Sequence, residues 1–369
     1  MSIVSDSSRV DLSYRAIDAS NLLKHEKILS SGSRFRLEGN PIDRKALDLF
    51  FSIVRDHQSI QELDLAACPL GTDGLELLAE RVKKMASLRF LSIRTIQADP
   101  KGFTSLFRAI HGSSILEKLD ISYDRFNSEN IKYLALSLKS FSSLSSLNVR
   151  YCSIPKDDLC SFMDAIGDCK NLHILNMSHL FNLDAISWKA LAENIKKIPL
   201  ESLDLTSTHI TSESLGILCP TLKAHTTLKK ICLDMNVLDI EAVLFLAQIL
   251  KQTTTLETLS LFGCQLGSEG GAILADALAE NQTLRSLNLH ANQLGTQGAQ
   301  AISRVLYKNK TLQSLNLEHN HITDLGGRVL KDALVNSAIV SINLKSNRFS
   351  ASLETELKDI SSSIEVILY

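Results

Sequence analysis

Apolar and polar positions in this chain follow two different periods, and one period regularly succeeds the other. In the segment LRSLNL, which begins at Leu284, apolar residues alternate with polar ones in the way that a half-buried strand requires. The segment GTQGAQAISRVL follows, and its Gly298, Ala299, Ile302 and Leu306 form one apolar stripe at helical spacing. The pattern therefore predicts one strand followed by one helix.

This strand–helix unit is repeated along nearly the whole chain. Its first leucine recurs every 28 residues from Leu88 to Leu312, and the series extends back to residue 32. Neither half can bury its apolar face alone, whereas stacked units share a continuous core. We predict an N-terminal cap at 1–31, twelve repeats at 32–363 and a C-terminal capping strand at 364–369.

The two caps carry short patterns of their own. Val10, Leu12 and Tyr14 alternate like a strand, and Asn21 to Leu29 is typical of a short helix. At the other end, Ile364, Ile367 and Tyr369 are predicted to close the stack as a final strand. Acidic residues just before it loosely resemble bacterial translocation signals, but they also complete the twelfth repeat.

A small polar residue recurs eight positions after the first leucine and predicts a ladder. Its side chain could satisfy backbone groups in the turn of its own repeat and of the adjacent one. The ladder residues are Asn40, Cys68, Cys152, Asn236, Cys264, Asn292, Asn320 and Asn347. Ile96, Asp124, Leu180 and Thr208 break the rule in the middle repeats, which indicates either a functional region or drift.

The full pattern, LxxLxLxxN/CxL followed by the helical stripe, resembles leucine-rich repeats of the ribonuclease-inhibitor type. That resemblance implies an α/β fold, a horseshoe-shaped solenoid with a parallel sheet on its concave side and helices on its convex side. Similar arrays occur in the inhibitor, in sensing arms of intracellular immune receptors, in Ran-type GTPase-activating proteins and in effectors that bacteria place in host cells.

Strand residues at the second, fourth and sixth positions after the first leucine should face the concave side. Acidic and basic residues there are equal in number, which argues against a basic ribonuclease as the ligand. Repeats three to six add aromatic residues and arginine, which are typical of binding hot spots. The predicted partner-binding residues are Phe90, Arg94, Tyr123, Arg150, Tyr151, Ile174 and His179. The alternative is that Tyr123 and Tyr151 only cover strand ends.

A second candidate patch lies in repeats nine to twelve, where a solvated polar face is the competing interpretation. It consists of Phe262, His290, Glu318, His319 and Lys345. His290, His319 and His321 lack the carboxylate or thiolate set of a strong metal site, so no metal is predicted. Cys232 is placed on the concave side, where it could be exposed, but the neighbouring Asp204 and Asp234 would raise its pKa rather than activate it.

Composition and motifs narrow the classes of function. The net charge of −2 predicts neither nucleic-acid nor membrane binding, and the odd number of scattered cysteines, seven, favours reduced thiols and the cytoplasm. The start of the chain does not resemble a secretory signal, and no apolar run reaches the length of a membrane span. Catalytic motifs such as GxxxxGK[ST], HExxH and GxSxG do not occur, so we expect neither enzymatic activity nor a cofactor.

Two departures from the repeat are expected to disturb its helices. The apolar stripe of repeat six slips by one position, to Trp188, Leu191 and Ile195. Pro220 falls inside the helical stripe of repeat seven, where proline should kink or shorten the helix.

Two functional hypotheses follow. The first is a monomeric, non-enzymatic scaffold that binds a protein on its concave side. The even spacing favours a microbial array, such as a secreted effector in the host cytosol. The alternative is a Ran-type GTPase-activating protein, with Arg94 or Arg150 at the reacting phosphate. Its usual acidic tail is not found here, and single-turnover GTP hydrolysis would separate the two.

Overall fold

The computed structural model describes residues 8–96, 98–360 and 364–368. It divides into two compact units, Met1–Asn182 and Leu183–Tyr369. Residues 1–7 of the predicted cap, 361–363 of the predicted last repeat and Tyr369 of the predicted closing strand lie outside the described residues.

Within the described residues, the first unit contains short strands that alternate with helices. The strands are β1 (Arg9–Asp11), β2 (Arg34–Arg36), β3 (Glu62–Asp64), β4 (Phe90–Ser92), β5 (Lys118–Asp120), β6 (Ser146–Asn148) and β7 (Ile174–Asn176). The α-helices are α1 (Glu26–Leu29), α2 (Arg44–Ile53), α3 (Gly71–Val82), α4 (Pro100–Ile110), α5 (Ser128–Ser140) and α6 (Leu159–Asp168). Short 3₁₀ helices lie at Leu22–His25, His57–Ser59 and Lys156–Asp158.

The second unit repeats the arrangement. Its strands are β8 (Ser202–Asp204), β9 (Lys230–Cys232), β10 (Thr258–Ser260), β11 (Ser286–Asn288), β12 (Ser314–Asn316), β13 (Ser341–Asn343) and β14 (Glu365–Ile367). Its helices are α7 (Ala185–Ile195), α8 (Ser212–Ala224), α9 (Ile240–Gln252), α10 (Gly267–Leu278), α11 (Gly295–Leu306), α12 (Asp324–Leu334) and α13 (Ala351–Asp359).

Strands pair in sequence order and in register within each unit. Each parallel partner lies one repeat further along, as in the row Phe90, Lys118, Ser146 and Ile174. Central strand residues such as Leu91 are fully buried, whereas the first residues of these strands are half-buried or exposed. The predicted fold class, an α/β solenoid of leucine-rich repeats with a parallel sheet and one helix per repeat, is confirmed.

The ladder residues form the repeated side-chain bonds that hold adjacent turns together. Nδ2 of Asn320 donates to the Leu289 carbonyl at 2.8 Å, and its Oδ1 accepts from the backbone N–H groups of Asn292 and Leu294. Asn292 bonds to the preceding repeat in the same way, through the N–H of Cys264 and the carbonyl of Leu261. Each amide therefore satisfies buried backbone groups that have no partner in regular pairing.

A thiol at the ladder position makes only part of these bonds. Sγ of Cys68, Cys152 and Cys264 each donates to a carbonyl of the preceding repeat, at 3.1–3.3 Å. A thiol offers a weak donor and no strong acceptor, so it cannot reproduce the two bonds that an amide oxygen accepts. At an irregular ladder position, Oδ1 of Asp124 accepts from the Ile96 N–H at 3.1 Å, which keeps part of the pattern.

Helices α7 and α8 are the two in which the sequence departs from the repeat. Trp188, Leu191 and Ile195 are buried on α7, as the slipped stripe predicts. Pro220 does not shorten α8, which runs unbroken over thirteen residues, so the prediction of a shortened helix is wrong. Pro220 lies on the exposed side of the helix, where water can satisfy the carbonyl that its missing N–H leaves open.

The N-terminal cap differs from the prediction at one residue. Val10 and Leu12 are buried, and the strand ends at Asp11. Tyr14 does not continue the strand. Its φ is +55°, its side chain is 69% exposed, and its hydroxyl donates to Glu38. The short helix expected near residue 21 is found as the 3₁₀ segment that leads into α1.

Candidate functional site

One backbone position after each strand adopts a left-handed conformation in all twelve repeats. It lies seven residues after the first leucine, and glycine occupies it at Gly39 and Gly263. The other residues there, all with positive φ, are Ala67, Thr95, Tyr123, Tyr151, His179, Ser207, Met235, Ala291, His319 and Ser346. The conformation costs a residue with a side chain roughly 1–2 kcal/mol relative to right-handed backbone. Large rings at three consecutive copies are therefore unusual.

Backbone pairing explains why this position recurs. The N–H of Tyr123 donates to the Arg150 carbonyl at 2.8 Å, and the N–H of Tyr151 donates to the Ser178 carbonyl at 2.9 Å. These bonds continue the strand register beyond the strand ends. Since adjacent parallel strands are about 4.8 Å apart, equivalent side chains of successive repeats meet at ring-stacking distance.

The rings of repeats four to six form an aromatic stack, which we define as Tyr123, Tyr151, His179 and Phe181. The Tyr123 and Tyr151 rings stack with centroids 5.2 Å apart, and the Tyr151 and His179 rings with centroids 4.2 Å apart. Phe181 packs edge-on against Tyr151 at 5.8 Å. Both tyrosines remain more than two-fifths exposed, so the stack presents ring surface to solvent.

The Arg150 side chain contacts two members of the stack, Tyr123 and His179. Its Nε donates to the Tyr123 hydroxyl at 2.9 Å, and its Nη2 lies 3.3 Å from Nε2 of His179. A guanidinium can only donate, so Nε2 of His179 is the acceptor in this contact. The result is a pre-ordered surface of rings with a cation held among them.

The other predicted contact residues lie apart from this stack. Ile174 is 47% exposed at the start of β7, and Phe90 is half-buried at the start of β4, with Lys118 and Ser146 between them in the register. Arg94 pairs with Glu38, whose carboxylate also accepts the Tyr14 hydroxyl and raises the pKa of Tyr14. The structure thus brings together four of the seven predicted residues.

Phe181 was missed by the sequence-based prediction. It follows the strand by too many positions to belong to the sheet, and in most repeats the corresponding residue is polar. An aromatic residue two positions after another aromatic residue at the left-handed position could have indicated it. Only the ring contact shows that it extends the stack.

The second predicted patch lies in the second unit. The rings of Phe262 and His290 are 4.6 Å apart, and Nδ1 of His290 is 4.0 Å from a Glu318 oxygen. His319 contacts both His290 and His321 through its ring. The described residues contain no group of three or more His, Cys, Asp or Glu side chains that could hold a metal ion.

Cys232 is buried, so the expectation that it could be exposed is wrong. It is the last residue of β9, and only 9% of its surface is exposed. Burial, followed by the charge of Asp204, raises the pKa of its thiol to about 12. A thiol in that state is not a nucleophile at neutral pH.

Comparisons with known proteins find the repeat and distant relatives. A model described as "Leucine Rich repeat" matches residues 56–79, 252–275, 280–303 and 308–331. The chain is 22% identical over 196 residues to "Protein NLRC5" of Ictalurus punctatus, covering 53% of this chain and 10% of that protein. It is 26% identical over 194 residues to the "Tonsoku-like protein" of Mus musculus, covering 48% of this chain and 14% of that protein. The chain therefore spans a small part of these relatives.

Two solved structures are also similar. The complex of Rad7 and Elc1 in yeast aligns over 81% of this chain and 89% of that one, with 16% identity and a TM-score of 0.41. Actin-binding site 2 of leiomodin-1 aligns over 42% of this chain and 88% of that one, with 20% identity and a TM-score of 0.35. In the part of the chain that the structure describes, no helix is both long and apolar enough to cross a membrane.

Proposed function

We propose that this leucine-rich-repeat protein is a non-enzymatic scaffold that binds a folded protein partner through the aromatic stack. The observation that supports this most is the exposed, pre-ordered ring surface of Tyr123 and Tyr151 with Arg150 fastened beside it. Tyrosine and arginine dominate binding hot spots because they combine large contact area with few rotatable bonds. Rings that are already stacked lose little conformational entropy on binding.

The strain of the stack also favours a binding role over the alternative of covering strand ends. Serine, alanine or glycine occupies the same position in other repeats and leaves the strands equally well paired. Covering the strand ends therefore does not require tyrosine. Large rings held in a left-handed conformation are more readily explained by selection for the surface they present.

No observation favours the alternative, a GTPase-activating protein of the Ran type. Arg94 is paired with Glu38 and Arg150 is bonded to Tyr123 and close to His179. An arginine that stabilises a transferring phosphoryl group must be able to reach it. Single-turnover GTP hydrolysis with candidate GTPases tests this alternative, and acceleration by wild type that Arg150→Ala abolishes would establish it.

Two finer proposals concern type and origin. We propose that the repeats are of the ribonuclease-inhibitor type, which the long helix in nearly every 28-residue unit supports. We also propose a monomeric bacterial effector that acts in the host cytosol and contacts neither nucleic acid nor membrane. The even repeat length and the low net charge support this. Immunoblotting of fractionated infected cells tests the location.

Affinity capture from eukaryotic cytosol tests the binding proposal. Wild type is compared with a variant carrying Tyr123→Ala and Tyr151→Ala, and with a control carrying Leu136→Ala and Leu244→Ala, which removes exposed apolar side chains from helices. We expect at least one protein to be retained by wild type and by the control but lost by the tyrosine variant. Equal retention by all three proteins would contradict the proposed site.

A further inference from the structure

The first unit carries a second distinctive surface at the opposite ends of its strands. The aromatic stack follows the carboxyl ends of β5–β7, whereas basic side chains gather at or just before the amino ends of β1, β2, β4 and β5, with Arg36 at the end of β2 beside them. Arg9, Arg34, Arg36 and Lys118 line this pocket together with Arg89, and Phe90 supplies an aromatic wall. We call this cluster the arginine pocket.

Positive charge is concentrated here in a chain whose net charge is −2. Five basic side chains line the pocket against two acidic ones, Glu62 and Glu117. Strand register causes this clustering, because Arg9 pairs with Arg34 and Arg34 with Glu62 along one row of the sheet. Asp11 and Asp64 lie opposite Arg36 on the two neighbouring strands, and Arg36 and Arg9 help to lower the pKa of Asp11.

Some of the basic side chains already have a hydrogen-bond or ion-pair partner within the protein, and others do not. Arg34 bonds to Gln61 at 3.1 Å and lies 3.8 Å from a Glu62 oxygen, and Arg89 pairs with Glu117. Arg9, Arg36 and Lys118 are exposed, and their side chains form no hydrogen bond or ion pair with the described residues. Three cations are therefore available around a partly exposed phenyl ring.

We propose that the arginine pocket binds an acidic segment of a protein partner, with glutamate or aspartate side chains on Arg36 and Lys118 and an apolar side chain against Phe90. Guanidinium groups match carboxylates in charge and in geometry. The half-buried Phe90 ring gives the site an apolar contact that a mere patch of solvated charge would not have. The site is separate from the aromatic stack and does not depend on it.

Fluorescence anisotropy with a labelled peptide tests this proposal. The probe is a glutamate-rich peptide with one leucine, and its control is the same peptide with every glutamate replaced by glutamine. We expect wild type to bind the acidic peptide and not the glutamine peptide. The affinity should fall as salt concentration rises, because exposed charges are screened.

Three variants locate the binding. Arg36→Glu with Lys118→Glu should weaken binding at least about ten-fold, because it replaces attraction by repulsion. Lys132→Glu with Lys139→Glu, on the exposed side of α5, changes the net charge equally and should leave affinity unchanged. Phe90→Ala should weaken binding of the leucine-containing peptide. Circular dichroism confirms that each variant is folded.

Several results would overturn the proposal. Equal affinity for the acidic and glutamine peptides, equal losses in the two charge-reversal variants, or undetectable binding by wild type would each do so. Tighter binding of a single-stranded RNA oligomer, lost in Arg36→Glu with Lys118→Glu, would assign the pocket to nucleic acid instead. The variant with Tyr123→Ala and Tyr151→Ala should bind the peptide with unchanged affinity. The peptide assay therefore tests the arginine pocket independently of the proposed binding role of the aromatic stack.

Discussion

At the residue scale, the same left-handed position serves different purposes in different repeats. Glycine or a small residue there only continues the backbone pairing, whereas Tyr123 and Tyr151 also present their rings. The rings lie outside the hydrophobic core, so their contribution to folding should be small even though their conformation is costly. Because the Tyr123 and Tyr151 rings are not required for folding, their surface is available for binding a partner.

The stack variants should therefore remain stable. Tyr123→Ala and Tyr151→Ala are each expected to change the free energy of unfolding by less than about 1 kcal/mol, because exposed rings lose little burial on truncation. Phe103→Ala removes a fully buried ring and should cost about 3–5 kcal/mol. Urea unfolding followed by circular dichroism measures both. A large loss for either tyrosine variant would mean that the stack is structural.

The ladder makes the opposite prediction. Asn292→Ala and Asn320→Ala should each lower the free energy of unfolding by about 1–3 kcal/mol, since each leaves buried backbone N–H groups without an acceptor. Gln293→Ala, in an exposed side chain next to the ladder, is the control and should have almost no effect. Unchanged urea midpoints in both asparagine variants would contradict the ladder.

Cysteine reactivity provides another test at this scale. Six of the seven thiols are buried, and burial raises the pKa of Cys68, Cys169 and Cys264 to about 12. Only Cys160 is half-buried. Titration of the native protein with a disulfide reagent at mildly alkaline pH should therefore show one fast thiol, which Cys160→Ser removes. The remaining thiols should react only on unfolding, and several fast thiols would contradict their burial.

At the scale of elements, helix α8 shows how a repeat tolerates a proline. Pro220 stands on the exposed side, and the neighbouring Leu218 and Leu222 keep their buried positions. The packing of the apolar stripe thus outweighs the missing backbone bond. This is why the proline rule, which holds for an isolated helix, wrongly predicted a shortened one.

Replacing that proline should stabilise the protein. Pro220→Ala restores one helical hydrogen bond, and the gain should exceed the added entropy of the unfolded chain by about 1–2 kcal/mol. Pro220→Gly restores the same bond but adds the conformational freedom of glycine, so its gain should be smaller. Urea midpoints compare the variants. A loss of stability in Pro220→Ala would show that the proline relieves strain in α8.

The sequence predicts the repeating elements well and the surface contacts only in part. Apolar spacing gives the strands, the helices and even the slipped stripe at Trp188, because burial enforces a strict period. The pairing of Arg94 with Glu38, two repeats away, has no signature in either repeat. Phe181 joins the stack from a loop, where periodicity does not apply.

At the scale of the molecule, the repeat places equivalent residues of successive strands side by side, so that they form extended surfaces. Within the first unit, register collects rings beyond the carboxyl ends of three strands and cations at or just before the amino ends of four. The aromatic stack and the arginine pocket share no residue. A partner could therefore contact one of them without the other, and the two can be tested separately.

Site-specific photo-cross-linking tests whether the aromatic stack contacts a protein partner. A photoreactive phenylalanine analogue is placed at Tyr151, and in a control protein at the exposed Leu136 on α5. After irradiation in cytosol, we expect a protein cross-linked at position 151 and not at 136. Excess unlabelled wild type should compete for it, whereas protein carrying Tyr123→Ala and Tyr151→Ala should not. Equal labelling at both positions, or none at 151, would contradict a binding scaffold centred on the aromatic stack.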